Sequence, residues 1–377
     1  MERVSRFLLH WVRPSWSGVR SSEITLSSPA GDLPATLLCP PGKGPYPAWI
    51  ILHGITVPGR LHPSLIRFSS AVAAAGAMVL IPEVREWTEL QLDQAAGSNA
   101  IMAGVNFYHQ RTDITGPITL AGFSFGATQA LISAARPEFR KDIRRVIGFG
   151  GYCDFGRTLR SMMTGEHEWE GVHYQYSPDP YGRWIAAANY IRKIPEYAEM
   201  EGLARAAHTM AAEAGQRGIN AADPAYDTLK GKLAEGLSPA ERELWKLIAP
   251  PAGVLPEPEQ TRELADRIVA AAVRQTPDLD PKSALPQLDQ RVILVHGRDD
   301  HLIPFTETLR LAAALPPAVD ASVTITRLFA HSREADRPGL RAWPGEVWNY
   351  LSLLRRALAP TLPAIQPPHP ASTDAAD

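Results

Sequence analysis

At 377 residues the chain is more than twice a typical domain length, so a full catalytic core plus one additional module fits. Its 45% apolar and 21% charged residues are ordinary globular composition, which excludes disorder of the whole chain. A net charge of -2, with no lysine and arginine run interleaved with aromatics, argues against nucleic acid as a partner. Two cysteines, Cys39 and Cys153, make no disulfide framework and have no second thiol at metal-ligand spacing. A reduced compartment is expected and a cytoplasmic location with it, although a two-cysteine protein can also be exported.

The chain opens with MERVSRFLLHWVRPSW, in which Phe7 to Leu9 is too brief for a signal-peptide hydrophobic region and is interrupted by His10 and Arg13. Val4, Phe7, Leu8, Trp11 and Val12 fall on one helical face, which fits packing on the core better than peripheral membrane contact by residues 1–16. No stretch of about 18 uninterrupted apolar residues exists, so no transmembrane segment is expected.

Two extended runs from Glu23 to Cys39, separated by Pro29, Ala30, Gly31 and Asp32, predict a hairpin. AWIILHG, Ala48 to Gly54, is continuously apolar and ends in glycine, as a strand buried on both faces does. A helix from about Pro63 to Ala75 and a strand MVLIP from Met78 to Pro82 follow, then a helix from Thr88 to Gln110. ITLAGFSFG runs from strand to tight turn, a helix occupies Ala127 to Ala135, and RRVIGFGG from Arg144 to Gly151 is again strand-like. Strands alternating with helices at this spacing predict an α/β fold with a mostly parallel central sheet covered by helices on both faces.

The rhythm breaks between about Asp154 and Gln290, where alanine, charge and aromatics dominate and no buried strand is evident. Tyr181 to Ile194 is amphipathic at helical period, and Ser238, Pro239 and Glu241 form a capping box with proline at the first helical position. A helical insertion over residues 155–290 is therefore expected between a first core part, 1–154, and a second, 291–358. That second part contains a strand RVILVHG from Arg291 to Gly297, a helix from Phe305 to Ala314, a strand from Ser322 to Phe329 and a helix from Pro344 to Ala357. Residues 359–377, rich in proline, alanine, serine and threonine, predict a disordered tail, and no internal repeat is present.

The sharpest chemical signal is Gly122-Phe123-Ser124-Phe125-Gly126, directly after an apolar strand and directly before an alanine-rich helix. A serine on such a turn projects its hydroxyl above the sheet, and the flanking glycines let the backbone turn without side-chain collision. A serine hydroxyl is a poor nucleophile until an imidazole takes its proton, and the imidazole needs a carboxylate to fix its tautomer. In this topology both partners belong in loops at the carboxyl ends of later strands, acid before base. Gly297-Arg298-Asp299-Asp300 supplies the acid, and His331, just beyond the last predicted strand, the base.

The rest of the 11 histidines fit less well. His53 and His296 close buried strands as His-Gly and read as structural; His301 precedes the final strand. His167 and His173, beside Glu166, Glu168 and Glu170, match no closed zinc pattern and read as a solvated loop.

These residues resemble the α/β-hydrolase superfamily, in which a strand ending in His-Gly-x-x-Asp, followed four residues later by proline, carries the acid. The similarity covers Glu23 to Asp154 and Arg291 to Ala357 and selects Asp300 with Pro304, leaving Asp299 as a turn residue; Asp154 occupies a position that some members use instead. The resemblance implies oxyanion donors at the backbone amides of Phe125 and of Ile55 or Thr56, though the loop Ile55-Thr56-Val57-Pro58-Gly59 departs from the His-Gly-Gly-Gly form of some esterases. It also implies that the insertion before the acid-bearing strand is a cap over the active site.

The expected activity is hydrolysis of a carboxylic ester through an acyl-serine intermediate, without metal or organic cofactor. Trp169, Tyr174, Tyr176, Tyr181, Trp184 and Tyr190 suit a small-molecule substrate with an apolar group. A peptidase, thioesterase or acyltransferase of the same fold, and a non-catalytic hydrolase-like binding protein, are the alternatives, and no oligomeric state follows.

Overall fold

In the computed structural model, which describes residues 1–16, 18–328 and 343–360, helix α1 (Glu2–Val12) leads into a hairpin of β1 (Arg20–Leu26) and β2 (Leu33–Cys39). Next come β3 (Ala48–Leu52), α2 (Pro63–Ala74), β4 (Met78–Pro82), the short α3 (Arg85–Thr88), α4 (Gln94–His109), β5 (Ile118–Phe123), α5 (Phe125–Ala134) and β6 (Ile143–Phe149). The inserted segment contains α6 (Phe155–Thr164), β7 (Glu166–Trp169), β8 (Val172–Gln175), α7 (Pro180–Tyr190), α8 (Glu201–Arg217), α9 (Asp227–Glu235), α10 (Pro239–Ile248) and α11 (Pro258–Gln275). β9 (Arg291–Gly297), α12 (Phe305–Ala314), β10 (Ala321–Thr326) and α13 (Trp343–Leu358) complete the described chain.

The eight-stranded sheet has the order β1-β2-β4-β3-β5-β6-β9-β10. β2 runs antiparallel to β1 and β4, while every other neighbouring pair is parallel. The sheet is mostly parallel and covered by helices on both faces, as the alternation of strands and helices in the sequence predicts. Its central strands read as unbroken apolar runs because both faces are covered. β3 sends Trp49 and Ile51 into a cluster containing Phe7, Val72 and Leu354, and Ile50 and Leu52 into another containing Ile101, Leu131 and Leu311. α1, α2 and α13 therefore cover one face, and α4, α5 and α12 the other.

The N-terminal helix packs on this core through Val4 and Phe7, but Val12 on its expected apolar face stays exposed. β6 carries a buried arginine, Arg145, that the apolar reading of its strand does not anticipate. Its guanidinium donates to the carbonyls of Ala357 (2.9 Å) and Ala359 (2.8 Å), which the end of α13 leaves without helical partners. No described helix is long and apolar enough to cross a membrane.

Two expectations need correction. The helix expected over Thr88 to Gln110 starts late: Leu90 adopts φ 63°, and α4 begins only at Gln94, capped by the Asp93 carboxylate accepting from the Ala96 amide at 2.9 Å. Trp87 is the physical cause, since its buried indole donates to the Asp93 carbonyl at 2.7 Å and lies so close to Gly97 that a Cβ there would come within 2.6 Å. The inserted segment is mostly helical but also holds the β7–β8 hairpin, turned at Glu170 and Gly171 with positive φ. Its strands are half-exposed, so they lack the buried apolar run by which the sheet strands are recognised. The Ser238–Glu241 capping box at the start of α10 forms as expected. The expected strand end at Phe329 and the disordered tail fall wholly or largely outside the described residues.

Candidate active site

Ser124 stands alone between β5 and α5 with φ 56° and ψ -126°, a conformation that costs a non-glycine residue about 1–3 kcal/mol. The strain is held from both sides. The Ser124 amide donates to the Phe149 carbonyl on β6 at 2.7 Å, and its carbonyl accepts from Ala127 at 2.9 Å. The flanking glycines are sterically required: a Cβ on Gly122 would overlap the Gly126 carbonyl, and one on Gly126 would overlap the His53 carbonyl at the end of β3. Helix α5 thus starts in backbone contact with the strand beside it, which no larger residue allows.

His53 supports this turn and takes no part in acid–base work at neutral pH. Burial pushes its pKa down to about 4, so the ring is neutral. Its Nε2 accepts from the Val84 amide at 3.0 Å, which leaves the proton on Nδ1 to donate to the Gly54 carbonyl at 2.7 Å. Trp87 packs edge-on against both His53 and Phe125, with ring centroids 5.5 and 5.2 Å apart. The indole is thereby fixed under the serine turn.

Two backbone amides lie open beside Ser124. Among the described residues neither the Phe125 nor the Ile55 N–H has an acceptor. Phe125 is the first residue of α5, so its N–H is one of the orphan donors of a helix N-terminus, where negative charge is favoured. The Ile55 loop is steadied from the inserted segment by Tyr181, whose hydroxyl donates to the Ile55 carbonyl at 2.9 Å.

Asp300 is buried at the carboxyl end of β9, and its Oδ1 accepts from the amides of Leu302 (2.9 Å) and Ile303 (3.0 Å). Oδ2 lies 3.3 Å from Nε2 of the fully buried His296. That nitrogen donates to the Ile303 carbonyl at 2.9 Å, while Nδ1 accepts from the Thr308 hydroxyl at 2.6 Å. His296 is therefore structural, holding the turn that carries the acid. Asp299 points instead toward Arg327, 3.9 Å away. Asp154 caps α6 by accepting from the Arg157 amide and pairs with Arg157 and Lys282; these interactions outweigh burial and hold its carboxyl below the ordinary range. His331 lies outside the described residues.

A narrow cavity of ≈ 50 Å³ reaches Ser124 and is walled by Ile55, Phe125, Met162, Tyr181, Ile185 and Leu302. Since Leu302 and Ile303 both line it and both donate to Asp300, the serine and acid loops meet at one edge of the sheet. Tyr174 and Tyr176 of the expected aromatic set instead pack around His167, which stacks on Tyr174 at 4.6 Å and bonds Thr306 at 3.0 Å. No described group of three or more histidine, cysteine, aspartate or glutamate residues is placed to hold a metal ion.

Glu307, which no motif marks, joins the two loop systems. Its buried carboxylate accepts from the amides of Cys153 (2.9 Å) and Asp154 (3.0 Å) after β6 and from Arg157 at 2.6 Å, although it belongs to α12 after β9. The only local signal was an acidic residue in the first turn of a helix that starts after Pro304.

No protein-family model and no curated protein matches the chain. Among solved structures it is similar to brefeldin A esterase, a bacterial homologue of human hormone-sensitive lipase, at 16% identity over 90% of this chain and 75% of that one, TM-score 0.48. It is similar to the acylaminoacyl peptidase of Pyrococcus horikoshii at 11% identity over 95% of this chain but 44% of that one, TM-score 0.49, and so spans less than half the peptidase's length. A 2-hydroxy-6-oxo-6-phenylhexa-2,4-dienoate hydrolase from Rhodococcus aligns at 16% identity over 89% of this chain and 99% of that one, TM-score 0.47. At TM-scores under 0.5 these likenesses bear no weight for this chain's chemistry, and the fold rests on its own strand order.

Proposed function

We propose that the chain is a serine hydrolase that cleaves a carboxylic ester through an acyl-serine intermediate, with Ser124 as nucleophile, His331 as general base and Asp300 as the carboxylate that orients the histidine. The observation that carries this reading is the strained backbone of Ser124 at the head of α5. A non-glycine residue held there by glycines that tolerate no side chain is hard to explain by packing alone.

In this mechanism His331 accepts the Ser124 proton as Oγ attacks the ester carbonyl. The amides of Phe125 and Ile55 receive the charge that develops on the carbonyl oxygen, without having to break other hydrogen bonds first. His331 then returns the proton to the leaving alcohol, and a water it activates releases the acid. The inserted segment, residues 155–290, acts as a cap, with Met162, Tyr181 and Ile185 against the apolar part of the ester.

Labelling with a fluorophosphonate tests the reading: modification of Ser124 in the intact protein is expected, and a folded sample that stays unlabelled overturns it. p-Nitrophenyl esters of graded chain length, run beside a thioester and a peptide anilide, then sort the ester reading from its alternatives; preference for short acyl chains is expected from the narrow cavity.

A further inference from the structure

On the far side of α6 and α7 from Ser124 lies a second and larger cavity, ≈ 390 Å³, within the size range of small-molecule sites. The two helices form a shared wall. Met162 and Gly182 line the serine cavity, whereas their neighbours Met163 and Arg183 line the outer one. Gly182 leaves no slack in that wall, since a Cβ there would come within 2.9 Å of Met162 and 3.0 Å of Leu302.

Arg183 is the anomaly. Its side chain is only 4% exposed, yet the sole acceptor it meets among the described residues is the Met163 carbonyl, 3.1 Å from Nε. A buried guanidinium normally has a carboxylate partner, because its five donors and its charge both need compensation. The remaining charges do not supply one. Glu166 is taken by Arg262, whose Nε and terminal amino group reach one of its oxygens at 2.9 and 2.6 Å. Asp179, one helical turn before Arg183, attracts the guanidinium through space but spends Oδ1 on the Tyr181 amide at 2.9 Å, and its Oδ2 meets no partner. The cavity lining thus holds two arginines against one glutamate, with Met163, Leu255, Pro256 and Pro258 as apolar wall.

We propose that this outer cavity binds a small organic acid, whose carboxylate meets Arg183 and whose apolar part lies against Leu255, Pro256 and Met163. A planar fork of donors matches one carboxylate, and with Glu166 held by Arg262 and Asp179 acting on Arg183 only through space, the Arg183 fork is the one left open to it. The apolar wall favours an organic acid over inorganic phosphate. Nothing in this site depends on Ser124 being a nucleophile.

Calorimetric titration of the full chain with hexanoate, hexanol and inorganic phosphate tests the proposal. Hexanoate is expected to bind one to one, hexanol and phosphate at least tenfold more weakly, and Arg183→Met to weaken hexanoate tenfold or more. Should Arg183→Met fail to fold, Arg262→Glu changes an exposed side chain on the same cavity and is expected to weaken hexanoate about tenfold by placing like charge beside the site. Three results overturn the proposal: hexanoate that does not bind, hexanoate that binds as well to the variants and so sits in the serine cavity or elsewhere, and phosphate or hexanol that binds as tightly.

Discussion

The turn at Ser124 and the outer cavity at Arg183 are opposites in construction. At the turn the nearest neighbours of both flanking glycines are backbone atoms, neither glycine admits a Cβ, and the strain of one residue is locked by hydrogen bonds to Phe149 and Ala127. At the cavity a long charged side chain is buried with a single carbonyl partner among the described residues and ≈ 390 Å³ of space before it. Steric exclusion writes itself into the sequence as fixed small residues at fixed spacing. A need for an electrostatic partner leaves no such spelling, because the compensating group can come from any element or from a ligand.

The comparison can be broken first at the serine. Ser124→Ala is expected to lower ester cleavage by about 10⁴-fold or more, measured with a p-nitrophenyl ester, without loss of folding; retained cleavage would leave the strained turn without a catalytic purpose. Next, Glu307→Ala should destabilise the protein by about 2–4 kcal/mol in urea unfolding, since it leaves two amides without an acceptor and Arg157 with Asp154 alone. Gly126→Ala should cost about 3 kcal/mol by the same measurement, through the forced separation of α5 from β3. If it is tolerated, the turn is looser than its geometry implies.

Acid should find the histidine beneath the turn. His53 titrates near 4 in the folded state, whereas an unfolded histidine does so near 6.5, so the unfolded chain binds more protons in between. The contribution of His53 to stability is complete above about pH 6.5 and falls by about 3 kcal/mol as pH drops to 4. His53→Gln, less stable at neutral pH, should show a flatter loss over that window by thermal unfolding. Smallest of all, the Cys153 thiol, pushed up to about 12 mainly by burial, should resist iodoacetamide at pH 8 in the native protein; rapid alkylation there would mean that the region around α6 opens readily.

Much of the sheet was legible because its strands are apolar on both faces and bounded by glycine, proline and charge. Met78–Pro82 and Phe305–Ala314 fall where pattern alone puts them. The helix expected from Thr88 starts only at Gln94 for a reason hydropathy does not carry: the buried indole of Trp87 bonds the Asp93 carbonyl, and only Asp93 hinted at the later start. At the site, Ser124 and the Asp300 turn were readable from short motifs whose spacing is set by backbone geometry. Glu307, Tyr181 as a brace for Ile55, and Arg183 were not, because each acts across 100 residues or more of chain or, for Arg183, through what it lacks. His331 lies where the described structure does not reach, and its part in the mechanism stands on sequence position alone.

The grip of Glu307 on Cys153, Asp154 and Arg157 has a mechanical corollary. It rivets the first turn of α6 to α12, so that turn must travel with the sheet. Any parting of the inserted segment from the core, to admit or release a substrate, must therefore pivot beyond Arg157, and the Tyr181 hydroxyl on Ile55 is the latch such a movement would have to release.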